Sequence, residues 1–276
     1  RMEAEPEDQE EEEAAAAMLW SIQEALERQT QQIGASACGA TAVVDVLKAL
    51  GVDVSPEEAD RCVQTRLRRN ESPLADYLLS RSEAGATHVQ LIRGAQEASG
   101  GKAVGRFFHL YPRRRVRLVP WLASWIRKGA VPVATMNMQL AVPDGEEVPD
   151  AWHHQLIFGV APRAVFMTNP LDVVDQPVGF SLVILLLIAL SEQIKVVFTL
   201  SCTGAELSNK RGFQEVLVVF SPGQVRQMML EEELEDGPRT AHVSIPAAYS
   251  SGVTLFALTG SDAAQQLLKA PELPLL

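Results

Sequence analysis

Three strand-like runs follow one another through the middle of this chain: VPVATMNMQL (131–140), AWHHQLIFGV (151–160) and RAVFMTN (163–169). A polar stretch, PDGEEVPD, separates the first two, and a tight turn around Ala161 and Pro162 separates the last two. Connections this short join neighbouring antiparallel strands rather than crossing over a sheet. The residues before them read as helix. Helices gathered ahead of a run of strands indicate an α+β fold, not a doubly wound parallel sheet.

The helical half has clear punctuation. Leu19, Ile22 and Leu26 recur at helical spacing within residues 18–30. A second helix starts near Cys38, buries Val43, Val46, Leu47 and Leu50 on one stripe, and stops at Gly51. Ser55-Pro56 opens the next, with Ser55 as N-cap, Pro56 in the first helical position and Glu58 expected to close a capping box. Cys62 lies inside that helix and reads as a small core side chain. Residues 73–98 are further helix, GRFFHLYP (105–112) is a strand, and LVPWLASWIRKG (118–129) is a helix ending at Gly129. Beyond residue 180, EVLVVF, AHVSIP and VTLFAL read as strands and QVRQMMLEEELED as a helix.

Charge narrows the function. The formal net charge of the 276 residues is −11. Residues 1–17 hold eight acids against one arginine, so −7 of it comes from this stretch. Such a run cannot bury enough apolar surface to fold and is expected to be a disordered, solvating arm. No basic face marks a nucleic-acid partner; Arg113, Arg114 and Arg115 read as a solvated loop. The apolar run VGFSLVILLLIAL (178–190) is cut by Ser191, Glu192 and Lys195. It falls short of the ~20 residues of a spanning helix, so no membrane association is expected. Three cysteines, Cys38, Cys62 and Cys202, show neither a disulfide framework nor metal-ligand spacing, and neither metal nor cofactor is expected. With an acidic rather than basic start, a reducing compartment, cytoplasm or nucleus, is the expectation. The organisation reads as an acidic arm (1–17), a domain over 18–178, and a C-terminal extension (179–276), which is either separate or a completion of the same domain.

The chemistry gathers around Cys38. A helix N-terminus favours a thiolate, because unpaired N–H groups and the aligned peptide dipoles stabilise negative charge there. A thiolate nucleophile needs a histidine partner, a group to orient that ring, and a donor for the oxyanion. Gln32, six residues before Cys38, has an amide to donate. His153 and His154 open a strand, and Asn169 ends the next. A turn at Ala161 and Pro162 sets His153 or His154 opposite Asn169. Strand alternation gives His154 the more apolar side, with Leu156, Phe158 and Val160, and leaves His153 for a cleft wall beside Gln155, Ile157 and Gly159. His88, His109 and His242, far apart in sequence, read as structural.

This order of residues (Gln, five residues, Cys-Gly at a helix start, a His-led apolar strand, then Asn-Pro) resembles the papain-like cysteine peptidase superfamily. Within it, the pattern is similar to the bacteriocin-processing, double-glycine-type branch. Members place a Gly six residues after the catalytic His and an Asn or Asp sixteen after it. Gly159 and Asn169 stand at those offsets from His153. The resemblance covers residues 30–172 and implies a papain-like domain whose nucleophile-bearing helix packs on an antiparallel sheet. It implies hydrolysis of a peptide or isopeptide bond in a peptide or protein substrate. Cys38 would attack, His153 would act as base and then acid, Asn169 would orient it, and Gln32 would hold the oxyanion. The alternatives are an acyl or amide transferase using the same site, or an inactive papain-like fold serving as an interaction protein. Asn169-Pro170 replaces the Asp-Pro commoner in the nearest branch, and residues 179–200 match nothing in the pattern. Oligomeric state is not legible.

Overall fold

The computed structural model describes residues 16–69, 71–137, 152–162, 164–168, 215–219, 242–246 and 249–276. Most of the acidic arm, the apolar run 178–190, the expected helix at 224–236, Cys202 and Asn169 lie outside them. The architecture is α+β: a sheet whose pairings are all antiparallel, with helices on both faces.

The elements follow in chain order. β1 (Ala17–Met18) begins within the stretch assigned to the arm, and α1 (Ile22–Arg28) follows. Then come α2 (Cys38–Ala49), α3 (Pro56–Val63), α4 (Leu74–Glu83), α5 (His88–Ala98), β2 (Ala103–His109) and α6 (Leu118–Arg127). β3 (Val131–Asn137), β4 (Trp152–Ala161) and β5 (Ala164–Met167) are the expected strand series. β6 (Glu215–Val219) and β7 (His242–Pro246) pair with each other. β8 (Gly252–Leu258) and α7 (Asp262–Lys269) close the chain.

The main sheet runs β1-β4-β3-β8-β2, with β5 also on β4. β8 sits between β3 and β2, with Val133 opposite Thr254 and Arg106 opposite Leu255. A strand from the far end of the chain therefore lies inside the sheet that carries the candidate histidines.

Alternation sorts the two cores. Val131, Val133, Leu156, Phe158 and Phe256 pack with Ala40, Val43, Val44 and Leu47 of α2 and with Leu91 and Ala95 of α5. Ala134, Met136, Ile157, Val253, Leu255 and Ala257 pack on Leu122 and Ile126 of α6 and Leu267 of α7. Val160, expected beside Phe158, belongs to the second core. The reason is a bulge in β4: Ile157 faces Met167 while Gly159 already faces Phe166, so Phe158 is an extra residue and the alternation shifts there. The hairpin register also differs from the expected one, and does so from the turn onward, where Ala161 stands across from Ala164 and Val160 from Val165. A turn at Ala161 and Pro162 would set Ile157 across from residue 165 or 166; it stands across from Met167, and Thr168 N–H reaches the Leu156 carbonyl at 3.0 Å.

Local signals explain the ends. Ser21 and Glu24 form a complete capping box for α1, as Thr87 and Gln90 do for α5. Ser55 accepts from Glu58 N–H at 3.1 Å with Pro56 behind it, but Glu58 does not complete the expected box. Its carboxylate instead forks onto Arg61, one turn along. Gly51 and Gly129 turn with φ of 73° and 89°, past the ends of α2 and α6.

α3 and α5 cross at Gly94. A Cβ there would stand 2.8 Å from Val63 Cα and 2.9 Å from its backbone nitrogen, so backbone rather than a flexible tip would have to move. Gly94→Ala is therefore expected to lower unfolding free energy by about 2 kcal/mol, overpacking outweighing the ~1 kcal/mol of helix propensity gained. Urea denaturation checks it; an unchanged or raised midpoint would show that the helices separate without strain.

Candidate functional site

α2 is the buried axis of the molecule: residues 38–47 are all buried, and Cys38 is its first residue. Its N-cap, Ala37, offers no side-chain acceptor. The first intrahelical bond runs from Thr41 N–H to the Ala37 carbonyl at 2.9 Å, so the helix geometry gives Cys38, Gly39 and Ala40 N–H no acceptor within the helix. Just before it, Ser36 holds φ of 58°, a conformation uncommon outside glycine that costs about 1 kcal/mol or more. The chain thus turns sharply into the helix at the cysteine.

Residue 39 has no side chain for a steric reason. A Cβ on Gly39 would meet Ala86 Cβ and Leu91 Cδ1 at 3.0 Å and His154 Cδ2 at 3.4 Å. The histidine packed against the first turn of α2 is therefore His154, and its ring is fully committed. Nε2 lies 2.7 Å from the Ala86 carbonyl, which can only accept, so Nε2 carries the proton. Nδ1 is then the acceptor for the Thr135 hydroxyl at 3.1 Å, from the residue directly across β3. Burial drives the His154 pKa down to about 4, partly countered by the Ala86 hydrogen bond. This is a neutral, fixed imidazole on the apolar side of β4 with Leu156 and Phe158, as the alternation indicated.

His153 stands one residue earlier, paired with Met136 and 9% exposed. Gln32 lies in the loop before α2, half-buried. Its Nε2 donates to the Gly34 carbonyl at 3.0 Å, and its Oε1 is buried with no hydrogen-bond partner among the described residues. Asn169 is outside the described residues. The geometry thus brings His154 against the residue after Cys38 and sets Gln32 in the loop that feeds the helix.

Several contributors were not legible one residue at a time. The segment 83–88 walls the site. Ala86 O holds His154, and Gly85 lies so close to the Ser36 carbonyl that a Cβ would stand 3.6 Å from it. Tyr249, just before β8, donates its hydroxyl to the Glu83 and Ala84 carbonyls and pins that segment. His88, at the start of α5, stacks on Phe107 with ring centroids 3.9 Å apart and lies 6.0 Å from His109. Burial first, then the neighbouring His109, pushes its pKa down to about 4. Two histidines that looked unrelated in sequence are therefore neighbours, and His88 also influences His154. Among the described residues no group of His, Cys, Asp and Glu could hold a metal ion, and no helix is long and apolar enough to cross a membrane.

No family model matches the chain, and no curated protein does. Among solved structures, the chain is similar to one from Bacillus anthracis described as a candidate C39-like peptidase. The identity is 20%, over 52% of this chain and 79% of that one, with a TM-score of 0.34.

Proposed function

We propose that this chain is a cysteine hydrolase that cleaves a peptide or isopeptide bond in a protein substrate through an acyl-enzyme on Cys38. The observation that carries this reading is the position of Cys38, first residue of an uncapped, buried helix with the histidine-bearing strand packed against its first turn. First-turn N–H groups that the helix itself does not satisfy, together with the helix dipole, favour a thiolate there. The resemblance of Gln32, Cys38-Gly39, His153 and Asn169 to the papain-like order agrees with it.

His153 takes the thiol proton and the sulfur attacks the carbonyl carbon. The carbonyl oxygen becomes an oxyanion, held by the Gln32 amide and the Cys38 backbone N–H. Collapse breaks the C–N bond as His153 gives its proton to the departing amine. Water then adds, with His153 again as base, and releases the acid and the free thiol. Asn169 orients the His153 ring. His154 is unsuited to the base role: both ring nitrogens have fixed partners, and a pKa near 4 makes it a poor proton acceptor at neutral pH.

Cys38 is expected to be alkylated by limiting iodoacetamide at neutral pH well before Cys62. Cys62 is 1% exposed as a residue, and burial, then the neighbouring Glu58, raises its thiol pKa. Peptide mass spectrometry reads the order of labelling. Equal rates at the two sites, or faster labelling of Cys62, would remove the nucleophile and leave an inactive fold of this class.

A further inference from the structure

We propose that Asp45 is a positioning residue for the reaction: with Thr41 and Lys48 it forms a polar rail along α2 that holds the Gln32 loop in register with Cys38. This rests on the reading of Gln32 as oxyanion donor and adds the device that sets it.

The three residues fall at i, i+4 and i+7, one face of the helix, in a segment otherwise made of Ala, Val and Leu. Each grips the incoming chain at a different point. Thr41 Oγ1 accepts from Ile33 N–H at 3.3 Å while donating to the Ala37 carbonyl. Asp45 Oδ1 accepts twice from Thr30, from N–H at 2.8 Å and Oγ1 at 2.6 Å. Lys48 Nζ reaches the Arg28 carbonyl at 2.9 Å and Thr30 Oγ1 at 2.7 Å. Residues 28–33 are thus fixed along the same helix whose first residue is the nucleophile. Gln32 lies between two of the anchored positions, Thr30 and Ile33.

A carboxylate is an expensive way to hold a loop. Asp45 is 1% exposed, and burial pushes its carboxyl up to about 6 despite both Thr30 bonds and Lys48 at 3.9 Å. An apolar side chain of similar volume would suit that helix better on stability alone. What the carboxylate supplies is direction. One oxygen takes both the N–H and the O–H of Thr30, which fixes where the loop stands along the helix axis. A shift of about 1 Å in a group that must meet a developing charge is enough to cost a large factor in rate.

The test compares two reactions of Cys38 that differ only in the need for an oxyanion site. In alkylation by iodoacetamide the sulfur displaces iodide and no oxyanion forms. In acylation by 4-nitrophenyl acetate the sulfur adds to the carbonyl carbon, an oxyanion forms, and 4-nitrophenolate departs. Losing a donor costs 10²–10³, so Asp45→Ala, which misplaces Gln32 without removing it, is expected to slow acylation about tenfold. Alkylation should stay within about twofold, since the thiol is untouched. Asp45→Asn keeps an acceptor for Thr30 and should acylate near the wild-type rate. Gln32→Ala should lower acylation selectively, and adding Asp45→Ala to it should cause no further loss, since both changes remove one function. Should Asp45→Ala not fold, Thr41→Val cuts the Ile33 tie isosterically and should give the same selective loss. Unchanged acylation in Asp45→Ala, acylation and alkylation falling together, or additive losses would overturn the positioning role and leave the hydrolase reading standing. Unchanged acylation in Gln32→Ala would instead sink the donor assignment, and this inference with it.

Discussion

In His153→Ala, alkylation of Cys38 at neutral pH is expected to fall by about tenfold and its pH profile to move up by about one unit. His154→Ala should leave that profile in place and cost the protein about 3 kcal/mol of stability instead. The two residues are adjacent, yet their environments separate them. His154 is 1% exposed and ties β4 both to Thr135 on the neighbouring strand and to the Ala86 carbonyl on the wall of the site. Truncation leaves that carbonyl and hydroxyl buried without their partner and opens a hole over Gly39. His153, as the proposed base, would keep the sulfur ionised as an imidazolium–thiolate pair, and losing it returns the thiol toward its ordinary pKa of ~8.5. Rates of iodoacetamide labelling from pH 5 to 9 and urea midpoints on the same preparations separate the roles. A shifted labelling profile in His154→Ala with none in His153→Ala would transfer the base role to His154.

The second large effect concerns acid. Wild-type stability should fall modestly between pH 6.5 and 4, by what His88 contributes, and Asp45→Asn should make it fall steeply over the same range. Two opposed linkages produce this. His154 has a folded pKa near 4 against 6.5 unfolded, so between those values the unfolded chain binds a proton that the native ring refuses. Stability is full above pH 6.5 and falls by about 3 kcal/mol as pH drops to 4. His88, also lowered to about 4 but partly exposed, adds in the same direction. Asp45 runs the other way. Its folded pKa near 6 lies above the unfolded 3.8, so the native state takes up the proton first and gains about 3 kcal/mol as pH falls through the same window. Removing the titratable carboxyl removes that offset and exposes the histidine loss. At pH 7.5 Asp45→Asn should equal or exceed wild type, because no charge is then buried there. Urea titrations at four or five pH values give the curves. Parallel curves for the two proteins would mean that Asp45 has an ordinary pKa in the folded state.

Much of the secondary structure was legible because its signals are local. Ser55-Pro56, the Gly51 and Gly129 stops, and the apolar stripes of α2 and α6 each depend on residues within one or two turns. The strand series β3–β5 was legible for the same reason, as was the packing of His154 on the apolar side of β4. The bulge at Phe158 was not. It depends on how β4 meets β3, β1 and β5 at once, and it moved Val160 to the other core; the hairpin register was set separately, where Ala161 pairs with Ala164 at the turn. Glu58 left its capping role because Arg61, one turn along, offers a charged fork that the Ser55 N–H cannot match.

By itself the sequence determined the fold class, the helix start at Cys38, and the order in which Gln32, Cys38, His153 and Asn169 arrive. These follow from propensity, periodicity and spacing, which act over a few residues. Only the tertiary structure decided that β8 enters the sheet between β3 and β2, that His88 stands beside His109, and that Ala86 and Thr135 lock His154. It also revealed why an aspartate interrupts the apolar helix: Thr30, fifteen positions away in sequence, delivers both its donors to one oxygen of Asp45. A buried polar group must find partners, and those partners come from wherever chain closure brings a donor within 3 Å, which no local pattern records.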